Sequence, residues 1–375
     1  MQYAVFLVLI ASMGGLNYYL ARRVWRWIHF FVPGFSFAVL LAFFAFLTLL
    51  MMLDFLKAFS GSLQRAVSFA GSCWMGVFVY LLLFFLVSDA VLILVRLLCG
   101  APAMKKCCVA AGAAATALAL LVSAYGMYNA RCIRTVAYNV QLSDKPASEM
   151  TVALITDVHL GALGSESRLK KIVDEINLMQ PDVVCIAGDL FDTDFRSISD
   201  PEKAIQTFKQ LRTLHGVYAC LGNHDAGRTF DSMEDFMRRA QICLLKDTCV
   251  TLDDGLVLAG RLDGSPIGGT GELRRGELAD VLSSAKPGLP VVVLDHNPIS
   301  IETYYEGVDL VLSGHTHRGQ IFPGSLITNA MYAVDYGYYR NEHGVQAIVS
   351  SGSGTWGLPM RVGTHCEVVR INLHY

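Results

Sequence analysis

A series of Asp, Asn and His side chains falls in short phrases, each closing an apolar run. Asp157-Val-His159 comes first, then Gly188-Asp189-Leu-Phe-Asp192, then Gly222-Asn223-His224-Asp225. His296 and Gly314-His315-Thr316-His317 complete it. Carboxylate and amide oxygens together with imidazole nitrogens hold hard-to-borderline divalent metals. A donor set of this size would serve two ions in one cleft, and a two-ion cleft points to hydrolysis. Taken singly, Asp-x-His, Gly-Asp-x-x-Asp and Gly-Asn-His-Asp are ordinary turn chemistry. Their order, and their repeated position at the ends of apolar runs, argues against packing alone.

Those runs read as strands. They are expected at 151–156, 182–187, 217–221, 248–252, 256–260, 290–295, 308–313, 346–350 and 367–373. Helical patterns fill 165–179, 201–213, 231–240 and 299–305, and Asp253-Asp254-Gly255 reads as a hairpin turn. The first three phrases follow one another at about the length of one βαβ unit. Successive parallel strands would bring them to one sheet edge, where open α/β sheets place their sites. Asp157 and His159, two apart, would point the same way off an extended backbone.

The whole pattern, D-x-H, G-D-x-x-D, G-N-H-D, H and G-H-x-H, resembles the calcineurin-like metallophosphoesterase superfamily over roughly residues 150–373. Gly314-His-Thr-His-Arg-Gly-Gln320 and Ser350-Ser-Gly-Ser-Gly-Thr-Trp-Gly-Leu-Pro-Met-Arg361 look like its bacterial membrane-anchored branch. The resemblance implies an α/β domain built as a four-layer α-β-β-α sandwich of two mixed sheets. It implies two divalent ions, Mn, Fe or Zn, with Asp157, His159 and His317 on one and Asn223, His296 and His315 on the other. Asp189 would bridge them. A hydroxide held between the ions would attack a phosphoester, with His224 as general acid, Asp225 orienting its ring and Asp192 supporting the Asp189 turn. Asp295 stands where the branch often carries Ser, and is expected to adjust the surroundings of His296. Arg318, Tyr336, Tyr338, Tyr339, Trp356 and Arg361 are expected on the substrate side.

The composition is split. Residues 1–144 carry ten Lys/Arg against three acids, a net of +7, while the remainder carries twenty against twenty-nine, a net of −9. Four apolar runs in the basic third, about 2–21, 33–53, 73–95 and 107–128, are each long enough to cross a bilayer. The first lacks a basic leader and reads as an uncleaved span. Gly14-Gly15 and Ala110 to Ala117 read as close helix packing. Residues 129–149 read as a polar connector, and 150–375 as the phosphoesterase domain. The distribution of Lys and Arg between loops places that domain outside the cytoplasm. Asp89, within the third run, reads as facing a neighbouring helix.

The expected partners are a phosphoester substrate, lipid-linked or from the cell envelope, and membrane lipids. The polar part has no basic stripe, which disfavours nucleic acid. The ten cysteines form no framework, although Cys243 and Cys249 are near enough in sequence for a local bridge. The alternative to an enzyme is a metal-binding sensor or scaffold on the same fold.

Overall fold

The computed structural model describes every residue except 1, 57, 58, 60, 100–103, 144, 145, 147, 164, 253, 254 and 306. The chain divides into two compact units, Met1–Met127 and Tyr128–Tyr375.

The first unit is helical: α1 (Gln2–Phe31), α2 (Phe37–Phe55), α3 (Gly61–Cys99) and α4 (Met104–Asn129), whose last turn enters the second unit. Among the described residues, three helices are long and apolar enough to cross a membrane: α2, Gly61–Leu98 in α3, and Lys106–Asn129 in α4. Helix α1 is not among them; it continues ten residues past the expected end of its span and carries Arg22, Arg23 and Arg26. Two clusters of polar groups in this unit close on one another. Thr48 donates to Asn17 Oδ1 at 2.9 Å, and Trp74 Nε1 donates to Thr48 Oγ1 at 2.9 Å. Asp89 does face a neighbouring helix: it pairs with Arg23 and accepts from the Tyr19 hydroxyl at 2.7 Å. Gly14 and Gly15 look onto open space. Close approaches are at Gly112, within the 110–117 stretch, where a Cβ would lie 3.2 Å from Trp27 Cδ1, and at Gly71, where one would lie 2.8 Å from Met51 Cα.

The second unit begins with β1 (Ile133–Gln141), a strand inside the stretch expected to be a connector. It continues with β2 (Glu149–Ile155), α5 (Ser165–Met179), β3 (Val183–Ala187), α6 (Pro201–Phe208), β4 (Val217–Cys220), α7 (Phe230–Arg239) and β5 (Ile242–Leu244). Then come β6 (Thr248–Leu252), β7 (Leu256–Gly260), α8 (Leu278–Val281), β8 (Val291–Leu294), β9 (Leu310–Ser313), α9 (Gly324–Met331), β10 (Gly337–Arg340), β11 (Gln346–Val349) and β12 (Cys366–His374). Turns of 3-10 helix form at Phe195–Ser197, Pro298–Thr303 and His317–Gly319. The hairpin turn expected at Asp253-Asp254 lies outside the described residues, but β6 and β7 pair antiparallel around it.

The strands form two mixed six-stranded sheets, ordered β1-β12-β2-β3-β4-β5 and β10-β11-β9-β8-β7-β6. In the first, β2, β3, β4 and β5 run parallel; in the second, β7, β8, β9 and β11 do. Alternation along each strand sorts the core. Val152 and Leu154 join Leu258, Leu294 and Leu312 in a cluster that contains residues of both sheets. Ala153 and Ile155 face the other way, onto Leu169, Ile172, Val173 and Ile176 of α5. That i, i+3, i+4, i+7 spacing is the apolar stripe of a surface helix. Helix α6 starts where Asp200 accepts from the Lys203 amide and Pro201 takes the first helical position.

β1 escaped the sequence reading because it is an edge strand, bonded to β12 and mostly exposed, so its outward row of Thr135, Ala137, Asn139 and Gln141 looks polar. β5 and β10, of three and four residues, were too short to register.

Candidate metal centre

The parallel strands β2, β3, β4, β8 and β9 all end at one region, and each ends in one of the phrases. Asp157, His159 and His317 place one ligand atom each within 4.8 Å of one another, as do Asp189, His296 and His315. His317 Nε2 lies 3.3 Å from Asp157 Oδ1 and 3.1 Å from His159 Nε2. His296 Nε2 lies 3.1 Å from Asp189 Oδ2, and His315 Nδ1 lies 2.9 Å from Asn223 Oδ1. Asp189 Oδ2 joins the two sets, 3.1 Å from His296 and 3.8 Å from His159.

The backbone achieves this differently from the sequence reading. Asp157 (φ 53°), His159 (φ 50°), Asp189 (φ 51°), His315 (φ 69°) and His317 (φ 48°) all lie in the left-handed region, not in extended strand. That conformation costs a non-glycine residue about 1–3 kcal/mol and persists only where the surroundings impose it. Gly314 and Gly222 permit close approaches that no side chain would: a Cβ at Gly314 would sit 2.1 Å from Thr156 Oγ1, and one at Gly222 2.2 Å from Asp189 Oδ1.

The hydrogen bonds leave specific atoms unused. Asp157 Oδ2 accepts from the Thr156 hydroxyl at 2.8 Å and the His315 amide at 2.9 Å, while its buried Oδ1 has no partner. Asp189 Oδ1 accepts from the His224 amide at 2.8 Å, so Oδ2 is the oxygen turned to the imidazoles. His296 Nδ1 donates to Ala187 O at 2.8 Å, which points Nε2 at the cluster. A buried carboxylate oxygen without a hydrogen-bond partner, Asp157 Oδ1, is costly unless a cation meets it. The donor set therefore fits divalent metal.

The electrostatics agree. Burial pushes His159 down to about 3 and His315 to about 4, with His317 also well below its ordinary value, so all three are held neutral, the form that ligates. For His296 burial acts the same way, but the Asp189 charge outweighs it and raises the ring well above normal. Burial would raise Asp189, yet His296 and then His159 hold it below the usual carboxylate range. Burial raises Asp157 to about 6, despite the opposing charge of His296.

Around this centre several expectations change. Asp225 does not touch the His224 ring. Its carboxylate accepts from the amides of Gly222 (2.9 Å), Phe191 (2.9 Å) and Leu190 (3.3 Å), tying the turns after β3 and β4 together. Burial and the Asp189 charge raise it to about 7. The partner of His224 Nδ1 is the Thr193 hydroxyl at 2.7 Å, and Trp356 lies at 5.6 Å between ring centroids. A carboxylate oxygen of Asp192 groups with His159 and His224. Asp295 turns away from the centre into a two-pronged pair with Arg275 (2.8 and 2.6 Å) and accepts from Tyr304 at 2.7 Å. Arg361 is not on the substrate side: it is wholly buried, donating to His317 O at 2.9 Å and lying 3.1 Å from His317 Nδ1. Arg318 stacks over the Tyr336 ring at 4.3 Å, and Tyr336 donates to Glu367 at 3.1 Å. Tyr338 and Tyr339 use their hydroxyls on Gln346 and Glu302. Cys243 and Cys249 are both free thiols.

The family model for calcineurin-like phosphoesterases matches residues 150–319. A metallophosphoesterase of Aquifex aeolicus is 30% identical over 263 residues, 68% of this chain and 97% of its own length. The chain is a calcineurin-like metallophosphoesterase. It thus belongs to a family of phosphoric ester hydrolases that use metal ions. A metallophosphoesterase of Helicobacter pylori is 33% identical over 235 residues, and the match spans 61% of each chain. A transmembrane protein with metallophosphoesterase domain from Danio rerio is 29% identical over 321 residues, 80% of this chain and 72% of its own.

Proposed function

We propose that this chain is a membrane-anchored phosphoesterase. Its N-terminal helices, four by our count with α1 as the least apolar, hold a four-layer α-β-β-α catalytic domain, residues 150–375, at the outer face of the cell membrane. The three apolar helices and the transmembrane relative support the anchoring. The substrate is a phosphodiester, phosphomonoester or pyrophosphate, lipid-linked or from the envelope.

The observation that carries the catalytic reading is Asp189 Oδ2, which lies between the two imidazole sets with its other oxygen already bonded. Asp157, His159 and His317 would hold one ion, Asn223, His296 and His315 the other, with Asp189 shared. When bound, a pair of Mn, Fe or Zn ions supplies Lewis acidity and a water acidified to nucleophile near neutral pH. The chain's own work is positional. Asp225 clamps the two turns that carry Asp189 and His224. Thr193 fixes His224 through Nδ1, leaving Nε2 to carry the proton to the departing oxygen. Arg318, held flat on Tyr336, presents positive charge beside the His315–His317 turn.

The test is hydrolysis of p-nitrophenyl phosphate and bis-p-nitrophenyl phosphate by the full-length chain in detergent, loaded with Mn, Fe or Zn. Turnover with two ions per chain is the expected result. Stoichiometric metal with no turnover on any phosphoester would favour the sensor or scaffold reading instead.

A further inference from the structure

The segment that follows His317 is unusual for the surface of a soluble domain. None of the eight residues of α9 is buried, and its sequence, Gly-Ser-Leu-Ile-Thr-Asn-Ala-Met, has no charge. Leu326 (63%), Ile327 (62%) and Met331 (62%) are open to solvent, with Phe322 (47%) just before them. A cluster of large apolar side chains left bare in this way marks an interaction surface.

The patch is built into the metal motif. His317–Gly319 leads directly into it, and Tyr332 at its far end meets the His315 ring with centroids 6.2 Å apart. Gln320 ties its base to the loop of exposed Trp356, donating to Trp356 O at 2.8 Å and accepting from its amide at 2.8 Å. Trp356 in turn lies against His224.

The patch is also continuous with the place where the chain leaves its last apolar helix. The Asn129 side-chain amide, at the end of α4, donates to Arg361 O at 3.0 Å and Thr364 O at 2.8 Å. The same loop accepts from the Phe322 amide at Val362 O, 2.9 Å, and Gly363 lies against the Phe322 side chain. Phe322 is therefore one loop away from the residue at which a membrane-crossing helix ends. Tyr128, beside that residue, is exposed, as aromatic residues at a bilayer boundary are.

We propose that Phe322 and α9 form an interfacial element that docks into the acyl boundary of the bilayer the chain is anchored in, holding the mouth of the metal centre against the lipid headgroups. An uncharged helix with bare Leu, Ile and Met, next to Phe and Trp, is the chemistry that enters this layer. A phosphoester headgroup would then reach the centre without leaving the membrane plane. The proposal rests on the anchoring part of the function above, and not on turnover.

The experiment is photo-crosslinking of the full-length chain in phosphatidylethanolamine–phosphatidylglycerol nanodiscs. p-Benzoylphenylalanine is placed singly at Ile327, at Leu326, at Leu120 in α4, and at Leu214 in the loop before β4, at the opposite end of the strands. Lipid adducts at Ile327, Leu326 and Leu120, several-fold above those at Leu214, are expected. Lipid capture at Leu120 without capture at Ile327 and Leu326 would overturn the docking and leave the anchoring intact. Failure at Leu120 as well would overturn both. Protein–protein adducts at Ile327 would assign the patch to a second copy of the chain and overturn the lipid assignment. As a second measurement, Leu326→Asp with Ile327→Asp should make the amides of 322–332 exchange several-fold faster in nanodiscs, with soluble-substrate turnover unchanged.

Discussion

Two polar clusters of the helical unit and the metal centre of the phosphoesterase unit treat their polar side chains in opposite ways. Near α3, Asp89 is paired with Arg23 and Tyr19, and the Asn17, Thr48 and Trp74 groups satisfy one another in a chain. In the metal centre, the His159 and His317 nitrogens crowd together and Asp157 Oδ1 has no hydrogen-bond partner. A closed polar network stabilises a packing; an open one reserves its atoms for a ligand. Charge within an apolar run is therefore weak evidence of function by itself, and the partners decide.

The strongest way to break this contrast is Asp189→Ala. Turnover should vanish and both ions should be lost, read by elemental analysis of the purified chain. Retention of two ions would refute the shared-ligand role. His224→Ala should come next, lowering turnover about 10²–10⁴-fold, the span of a general acid, while metal content stays at wild type. Full activity in this variant would remove His224 from the chemistry.

Arg275→Met attacks a closed network inside the catalytic unit. It leaves the buried Asp295 carboxylate unpaired and should cost about 3–5 kcal/mol of stability, seen as a lower melting temperature. The contrast with Asp189 is that metal should still bind at low temperature.

The pH dependence sharpens the open network. The His296 ring is raised, so metal must displace its proton near pH 7, and affinity should rise with pH. Below about 6 the Asp157 carboxyl also takes a proton, so the slope should steepen there. His159 and His315, at about 3 and 4, contribute nothing in that range. Calorimetric titration in buffers of different ionisation enthalpy counts the released protons, and a flat profile would contradict these assignments. The smallest effect belongs to Asp89→Leu, which should leave metal content and soluble-substrate turnover unaltered. A large loss of turnover would mean that the helical unit does more than anchor.

Much of the centre was legible in the sequence because its residues sit at strand ends in a fixed order. Asp157, His159, Asp189, Asn223, His296, His315 and His317 all converge. The residues around them were not legible in the same way. Thr193 supports His224 from an exposed turn with no motif. Arg361 looked like a loop residue open to substrate, and only the packed structure shows it beneath His317. Arg275 has no sequence mark linking it to Asp295, twenty positions away. The apolar side chains of α9 carry no sequence mark of their exposure.

By itself the sequence determined the donor types, their order and the apolar strands that precede them, because local alternation and residue chemistry are properties of neighbours in the chain. The tertiary structure alone decided which oxygen of each carboxylate is left open, which histidine nitrogen faces the centre and which apolar residues remain bare. Those depend on groups far apart in sequence. They also depend on left-handed turns at five of the putting-together positions, Asp157, His159, Asp189, His315 and His317, which only the surrounding fold can hold in place.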